Sequence, residues 1–124
     1  MIKHIAFTLY PVKDVARARR FYEEILKLQV THNFKNSWIE YHLDNGCFAI
    51  SDMTPVAPSA RAGGSIAFEV DDLDAMVKSL REQNVVVKVE PFATPVCRMA
   101  VVLDPEGNAL TLHAKKTNAE HPQD

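Results

Sequence analysis

Residues 100–113 have the sequence AVVLDPEGNALTLH, which predicts two β-strands joined by a tight turn. The first strand would contain consecutive β-prone valines. In the turn sequence DPEGN, Pro105 restricts φ, Gly107 tolerates a positive φ, and the flanking Asp and Asn can bond nearby backbone. The residues that follow alternate between apolar and polar, as in a strand with one buried face. This stretch therefore predicts a β-hairpin.

Composition limits the class of protein. The chain has 124 residues, of which 47% are hydrophobic, so it can form the core of a single domain. Its net charge of −2 argues against a nucleic-acid partner. No apolar run approaches the roughly 20 residues that span a bilayer, and the N-terminus lacks a signal-peptide pattern. We expect a cytoplasmic protein with no membrane partner, in which Cys47 and Cys97 are reduced thiols.

The hairpin ends the second of two similar units. Each unit reads as a strand, a helix capped by aspartate, and three further strands. The two capping residues, Asp14 and Asp72, lie 58 positions apart, and their helices are predicted to end near residues 28 and 83. The predicted strands lie near residues 2–12, 29–35, 37–43, 47–52, 65–70, 85–90, 97–103 and 109–113.

The repeat predicts an α+β fold made of two βαβββ modules. The modules would span residues 1–52 and 65–114, joined by a Pro- and Gly-rich linker, 53–64, into a single domain over residues 1–114. Each helix covers only one face of a sheet. We therefore expect one curved, mixed, mostly antiparallel eight-stranded sheet with the helices on its outer face and a concave cup inside. Residues 115–124 lack apolar anchors and are predicted to be a flexible tail.

Five short motifs, together with the repeat, indicate a family. They are Val12-Lys13-Asp14, Arg19-Arg20-Phe21-Tyr22, Ile25-Leu26, Val70-Asp71-Asp72-Leu73 and Asp104-Pro105-Glu106-Gly107-Asn108. Over residues 1–114 the chain resembles the vicinal-oxygen-chelate superfamily, which includes glyoxalase I, bleomycin-resistance proteins and extradiol dioxygenases. The resemblance implies the fold and a symmetric homodimer that closes the cavities. Because this superfamily contains enzymes and plain binding proteins, it does not define a reaction.

The resemblance also identifies the positions of the usual metal ligands. In metal-dependent members these positions correspond to Phe7, Ser65 and Thr111, with a further glutamate in some members near Ala49 or Ser51. A divalent site needs about three or four ligands with nitrogen, carboxylate oxygen or sulfur atoms. None of these residues provides an imidazole or a carboxylate. We therefore expect no metal and no other cofactor at the usual site.

Alternation along the strands predicts which side chains line the cup, if the three usual ligand positions face inward. Arg98 is included because family members often carry an arginine six residues before the aspartate of the turn; alternatively, it pairs with Glu69 or Glu90. Such a mixture of apolar, aromatic and polar groups is typical of a small-molecule site. The predicted ligand-binding residues are Phe7, Leu9, Trp38, Glu40, His42, Ser65, Glu69, Arg98, Thr111 and His113.

Three functional hypotheses follow. The first is a metal-independent binding protein that holds an apolar or aromatic small molecule in the cup. The second is an enzyme of the lyase or dioxygenase type, with a metal site relocated to Glu40, His42, Glu69 and His113, or with acid–base catalysis by Glu40, His42 or Glu69. The third is a module that mainly dimerises. The polar pairs are also compatible with an ordinary solvated surface.

Overall fold

The computed structural model describes residues 1, 5–54, 57–61, 65–95 and 97–116. The predicted α+β class and the twice-repeated βαβββ order are confirmed. None of the helices in these ranges is long and apolar enough to cross a bilayer. The elements are β1 (Thr8–Pro11), α1 (Val15–Arg19), a π-helical segment (Arg20–Ile25), β2 (Val30–Phe34), β3 (Trp38–Leu43), β4 (Gly46–Ser51), β5 (Ile66–Glu69), α2 (Leu73–Glu82), β6 (Val87–Ala93), β7 (Cys97–Leu103) and β8 (Ala109–Lys115).

The strands form two mixed four-stranded sheets with equivalent topology. The first sheet has the order β1-β4-β3-β2 and the second β5-β8-β7-β6. In each sheet the first strand of the module pairs in parallel with the last, and the other pairs are antiparallel. Within the described ranges, the eight strands are therefore divided between two hydrogen-bonded sheets, whereas a single sheet was predicted, because the strands of each module pair with one another.

The described residues cluster into two compact units. Those of Met1–Ser59 and Pro105–Asn108 form the first unit, and those of Ala60–Asp104 and Ala109–Asp124 form the second. The predicted tail lies outside the described residues, except for Lys115 at the end of β8 and Lys116. Residues 2–4, at the start of the predicted first strand, also lie outside them.

Both predicted helix caps are confirmed. The Asp14 carboxylate accepts a hydrogen bond from the Arg17 N–H at 3.0 Å, and Asp72 accepts one from the Ala75 N–H at 3.1 Å. These bonds satisfy backbone donors that have no partner within the helix. Helix α2 ends at Glu82, close to the predicted position.

The first helix differs from the prediction because its second half is π-helical. The Leu26 N–H donates to the Phe21 carbonyl, five residues back, at 2.9 Å. Both Phe21 and Tyr22 are buried, and their rings meet edge to face at 4.9 Å. Lys27 then adopts a left-handed φ of 65°, which ends the helix before the predicted residue 28.

Aromatic packing determines which face of the first sheet the helix covers. The Tyr22 ring lies 6.2 Å from the Tyr41 ring and 5.2 Å from the Phe48 ring. Burial of such side chains supplies about 2 kcal/mol each. The face that carries Tyr41 and Phe48 is therefore the helix-bearing face, and the alternate residues of β3 and β4 lie on a helix-free face.

The second unit is built in the same way. Helix α2 packs against β6, β7 and β8 through buried residues that include Leu73, Val77 and Leu80. Leu110 and Leu112 are buried on β8, so the alternate residues, Thr111 and His113, lie on the other face. The predicted hairpin is confirmed, since β7 and β8 pair up to Leu103 and Ala109 on either side of the turn.

Candidate functional site

The helix-free face of the first sheet carries the predicted residues of the first module. Within β3 and β4, Trp38 lies opposite Ser51, Glu40 opposite Ala49 and His42 opposite Cys47. Leu9 of β1 lies opposite Ala49 on the other side of β4. Because residues in register share a face, the expectation that Leu9, Trp38, Glu40 and His42 point the same way is confirmed.

Two aromatic rings meet at this face. Phe7, just before β1, lies edge to face with Trp38, with centroids 5.3 Å apart and an interplanar angle of 87°. Phe7 is 44% exposed and Trp38 is half-buried. Such a pair contributes more than its buried area alone and leaves ring surface available for stacking.

Glu40 joins the aromatic pair to a polar group. The Trp38 Nε1–H donates to Glu40 Oε2 at 2.8 Å, and His42 Nε2 lies 3.4 Å from Glu40 Oε1. The Trp38 hydrogen bond is the main cause that lowers the pKa of Glu40, with further lowering by His42 and His32. Glu40 is therefore an ionised acceptor at neutral pH.

Cys47 completes a group of three potential metal-ligating side chains. One donor atom each of Glu40, His42 and Cys47 lie within 4.8 Å of one another. Partial burial, followed by the nearby Glu40 carboxylate, raises the pKa of the Cys47 thiol. The thiol is therefore protonated at neutral pH, unlike that of an activated nucleophile.

His32 is a residue of this face that the sequence reasoning missed. It lies opposite Glu40 in the β2–β3 register. Alternation along the predicted strand was the available signal, but the register shifts between Val30 and His32. At such an irregularity, alternation along the strand no longer predicts which face of the sheet a side chain lies on.

The second unit contains a separate pair of predicted residues. Glu69 of β5 and His113 of β8 lie in register, and Glu69 Oε1 is 2.6 Å from His113 Nδ1. The backbone N–H of Lys115 donates to Glu69 Oε2 at 2.8 Å. This backbone bond, and then the His113 contact, lower the pKa of Glu69. The Glu69 carboxylate thereby orients the His113 ring.

Arg98 lies on the opposite face from the one expected. It is in register with Ala114, whereas its neighbour Met99 is in register with His113. Its guanidinium makes a bidentate contact with Asp74 of α2, at 2.8 and 3.1 Å. The strand alternation therefore turns Arg98 towards the helix-bearing face, where Asp74 is its partner in place of either glutamate considered from the sequence.

The three usual metal-ligand positions do not fit a divalent ion. Phe7 presents an aromatic ring, and Ser65 is an exposed hydroxyl residue just before β5. Thr111 lies in register with Ala67 and Val101, which offer no ligand atom. Since a phenyl ring cannot coordinate and neutral hydroxyls are weak ligands, this set lacks the donors that such a site needs.

Comparison with known proteins places the chain in a superfamily. The model of the Glyoxalase/Bleomycin resistance protein/Dioxygenase superfamily matches residues 2–112. The chain belongs to this superfamily.

Individual relatives span nearly the whole chain. The uncharacterised protein YaeR of Escherichia coli K12 is 29% identical and covers 90% of this chain and 94% of its own. An antibiotic-binding protein from Streptomyces sp. CB03234, TnmS3, is 27% identical, with a TM-score of 0.79 over 93% of this chain and 98% of its own. A lactoylglutathione lyase from Agrobacterium tumefaciens shares the fold, with 16% identity and a TM-score of 0.72 over 91% of this chain and 94% of its own.

Proposed function

We propose that this protein binds an aromatic small molecule on the helix-free face of the first sheet. The observation that carries the proposal is the Phe7–Trp38 edge pair, which presents ring surface beside the Glu40 carboxylate. Aromatic surface with a few oriented polar groups is the usual composition of a small-molecule site. Binding would need no metal at the usual positions, because Phe7 occupies one of them.

The electrostatics support a class of ligand. Glu40 is an ionised acceptor whose Oε2 already bonds to Trp38 and whose Oε1 faces His42. An aromatic ligand with an amine or a hydroxyl donor would stack on the rings and donate to this carboxylate. The 27% identity to an antibiotic-binding protein over almost the full chain supports the binding of a small molecule.

The test uses Trp38, the single tryptophan, as its own reporter. Compounds that raise the melting temperature in a library of aromatic amines and phenols would be titrated by tryptophan fluorescence, with a chelator present. We expect saturable changes, and about tenfold weaker binding for Phe7→Ala. Leu43→Ala is the matched control, because Leu43 is 41% exposed and alternation puts it on the helix-bearing face. Hits that are weakened equally by both variants, or by neither, would contradict the proposal.

Acid–base catalysis is a second candidate, favoured by the Glu69–His113 contact at 2.6 Å. A carboxylate on Nδ1 orients an imidazole so that its other nitrogen is available as a base. Of the catalytic candidates Glu40, His42 and Glu69, Glu69 would then act by orienting His113 as the base, whereas Glu40 and His42 form a separate pair in the first unit. Turnover of a substrate by the wild type that is lost in His113→Gln would favour this candidate, whereas turnover that is unchanged in His113→Gln would contradict it.

The proposal includes a homodimer. In the described part of the chain, β2 is an edge strand of its sheet and all five of its residues are exposed, including Phe34. Uncovered strand edges with apolar side chains are usually paired or covered. Light scattering should give about twice 13.9 kDa at micromolar concentration, and the mass of one chain would contradict the proposal.

A further inference from the structure

We propose that Glu40, His42 and Cys47 form a zinc-binding site at the β3–β4 hairpin, distinct from the usual metal position of the superfamily. The inference goes beyond the proposed small-molecule binding and does not depend on it. Its basis is the clustering of one carboxylate, one imidazole and one thiol, whose ligand atoms lie within 4.8 Å of one another.

The hairpin brings the three residues together by its register. His42 and Cys47 are directly opposite one another, and Glu40 precedes His42 by two positions on the same face. Leu43 pairs with Gly46, so only Asp44 and Asn45 separate the strands at this end. A short hairpin of this kind holds cross-strand side chains at a small, defined separation.

One of the separations between the ligand atoms already matches that around a bound ion. Tetrahedral zinc with bonds of about 2.0–2.3 Å separates its ligand atoms by roughly 3.3–3.6 Å. Glu40 Oε1 and His42 Nε2 are 3.4 Å apart. The other separations are at most 4.8 Å and His42 is exposed, so rotation of the side chains would have to close a gap of no more than about 1.2 Å.

The surroundings already orient the carboxylate. Trp38 Nε1–H holds Glu40 Oε2 at 2.8 Å, which leaves Oε1 directed at His42. Hydrogen bonds to the outer oxygen of a ligating carboxylate are a regular feature of metal sites. The half-buried thiol and the exposed imidazole leave a fourth position open to solvent.

The donor set selects the class of metal. Zinc accepts oxygen, nitrogen and sulfur ligands together, whereas Mg²⁺ and Ca²⁺ require oxygen ligands. Co²⁺ substitutes for zinc in such sites and gives a thiolate charge-transfer absorption when a cysteine coordinates. We therefore expect binding of zinc and cobalt, and none of magnesium.

The experiment titrates the untagged, reduced full-length chain with Co²⁺ after chelator treatment and desalting. One equivalent should produce a near-ultraviolet charge-transfer band, which a slight excess of Zn²⁺ abolishes. Cys47→Ser should remove the band, and His42→Gln and Glu40→Gln should weaken cobalt binding at least about tenfold. His113→Gln is the matched control, since it alters the other histidine–glutamate pair, and it should bind as the wild type does.

Circular dichroism of each variant establishes that it is folded before it is titrated. A band that persists in Cys47→Ser, or the absence of a band in the folded wild type, would overturn the proposal. Equal weakening by His113→Gln and His42→Gln would overturn it as well. Small-molecule binding is measured with a chelator present, so either proposal can fail without the other.

Discussion

Glu106 accepts a 2.6 Å hydrogen bond from the Arg17 guanidinium, which pairs the turn between β7 and β8 with the first turn of α1. The same carboxylate accepts bonds from the backbone N–H groups of Lys13 at 3.0 Å and Asp14 at 2.9 Å. The Glu106 side chain is only 3% exposed. Glu106 of the DPEGN turn therefore stabilises the start of the first helix.

Replacing Glu106 should destabilise the fold. In Glu106→Gln the negative charge is lost, and the NH₂ group of the new side chain faces N–H donors to which it cannot bond. The free energy of unfolding should therefore fall by about 2 kcal/mol. Urea denaturation measures the change. Glu24→Gln, at an exposed position of the first helix, is the control and should change stability by less than about 0.5 kcal/mol. Equal effects of the two substitutions would show that the hydrogen bonds of Glu106 make no specific contribution to the free energy of unfolding.

The contribution of Glu106 should depend on pH. Burial raises its pKa, but the hydrogen bonds from Lys13, Asp14 and Arg17 outweigh burial, so the pKa lies below the ordinary value of 4.5. A carboxyl whose folded pKa is lowered contributes stability above its unfolded pKa and loses it as the pH falls through the folded pKa.

Urea unfolding across this range gives the measurement. The stability advantage of the wild type over Glu106→Gln should be constant above the ordinary carboxyl pKa of 4.5 and shrink below it. A difference that stays constant under acidic conditions would contradict the prediction.

Gly107 and Gly46 should respond oppositely to alanine. Gly107 has a φ of 88°, and Gly46 lies outside the left-handed region, while neither site has an atom within 4 Å of an added Cβ. Gly107→Ala should cost about 1–2 kcal/mol through backbone strain alone, whereas Gly46→Ala should be neutral or stabilising by up to about 1 kcal/mol. Thermal unfolding of the two variants measures these changes in stability. Similar losses of stability in both variants would argue against backbone strain at Gly107 as the cause.

Tyr41→Phe should reveal the contribution of a partly buried polar contact. The Tyr41 hydroxyl donates to Glu23 Oε2 at 2.8 Å, and Arg19 Nε donates to the same oxygen at 2.7 Å. Loss of the hydroxyl should lower the free energy of unfolding by about 1 kcal/mol. The double variant Tyr41→Phe/Glu23→Gln should lose less stability than the sum of the two single variants, because each substitution removes the same Tyr41–Glu23 contact. If the two losses in free energy of unfolding simply add, the Tyr41–Glu23 contact does not stabilise the fold.

Local features were the most predictable from the sequence. The caps at Asp14 and Asp72 and the hairpin after Leu103 depend on neighbouring residues only, and the structure confirms them. The shared face of Trp38, Glu40 and His42 followed from alternation along one strand, which β3 preserves. The facing of His32 was not predictable, because a register shift interrupts the alternation of β2.

The sequence by itself determined the repeat, the α+β class and the lack of an imidazole or a carboxylate at Phe7, Ser65 and Thr111, since spacing and residue type are properties of the chain alone. Only the tertiary structure decided that the described strands are divided between two sheets and that Arg98 pairs with Asp74. These features depend on which strand pairs with which and on register. Both result from packing energies summed over residues distant in sequence, and no local pattern encodes them.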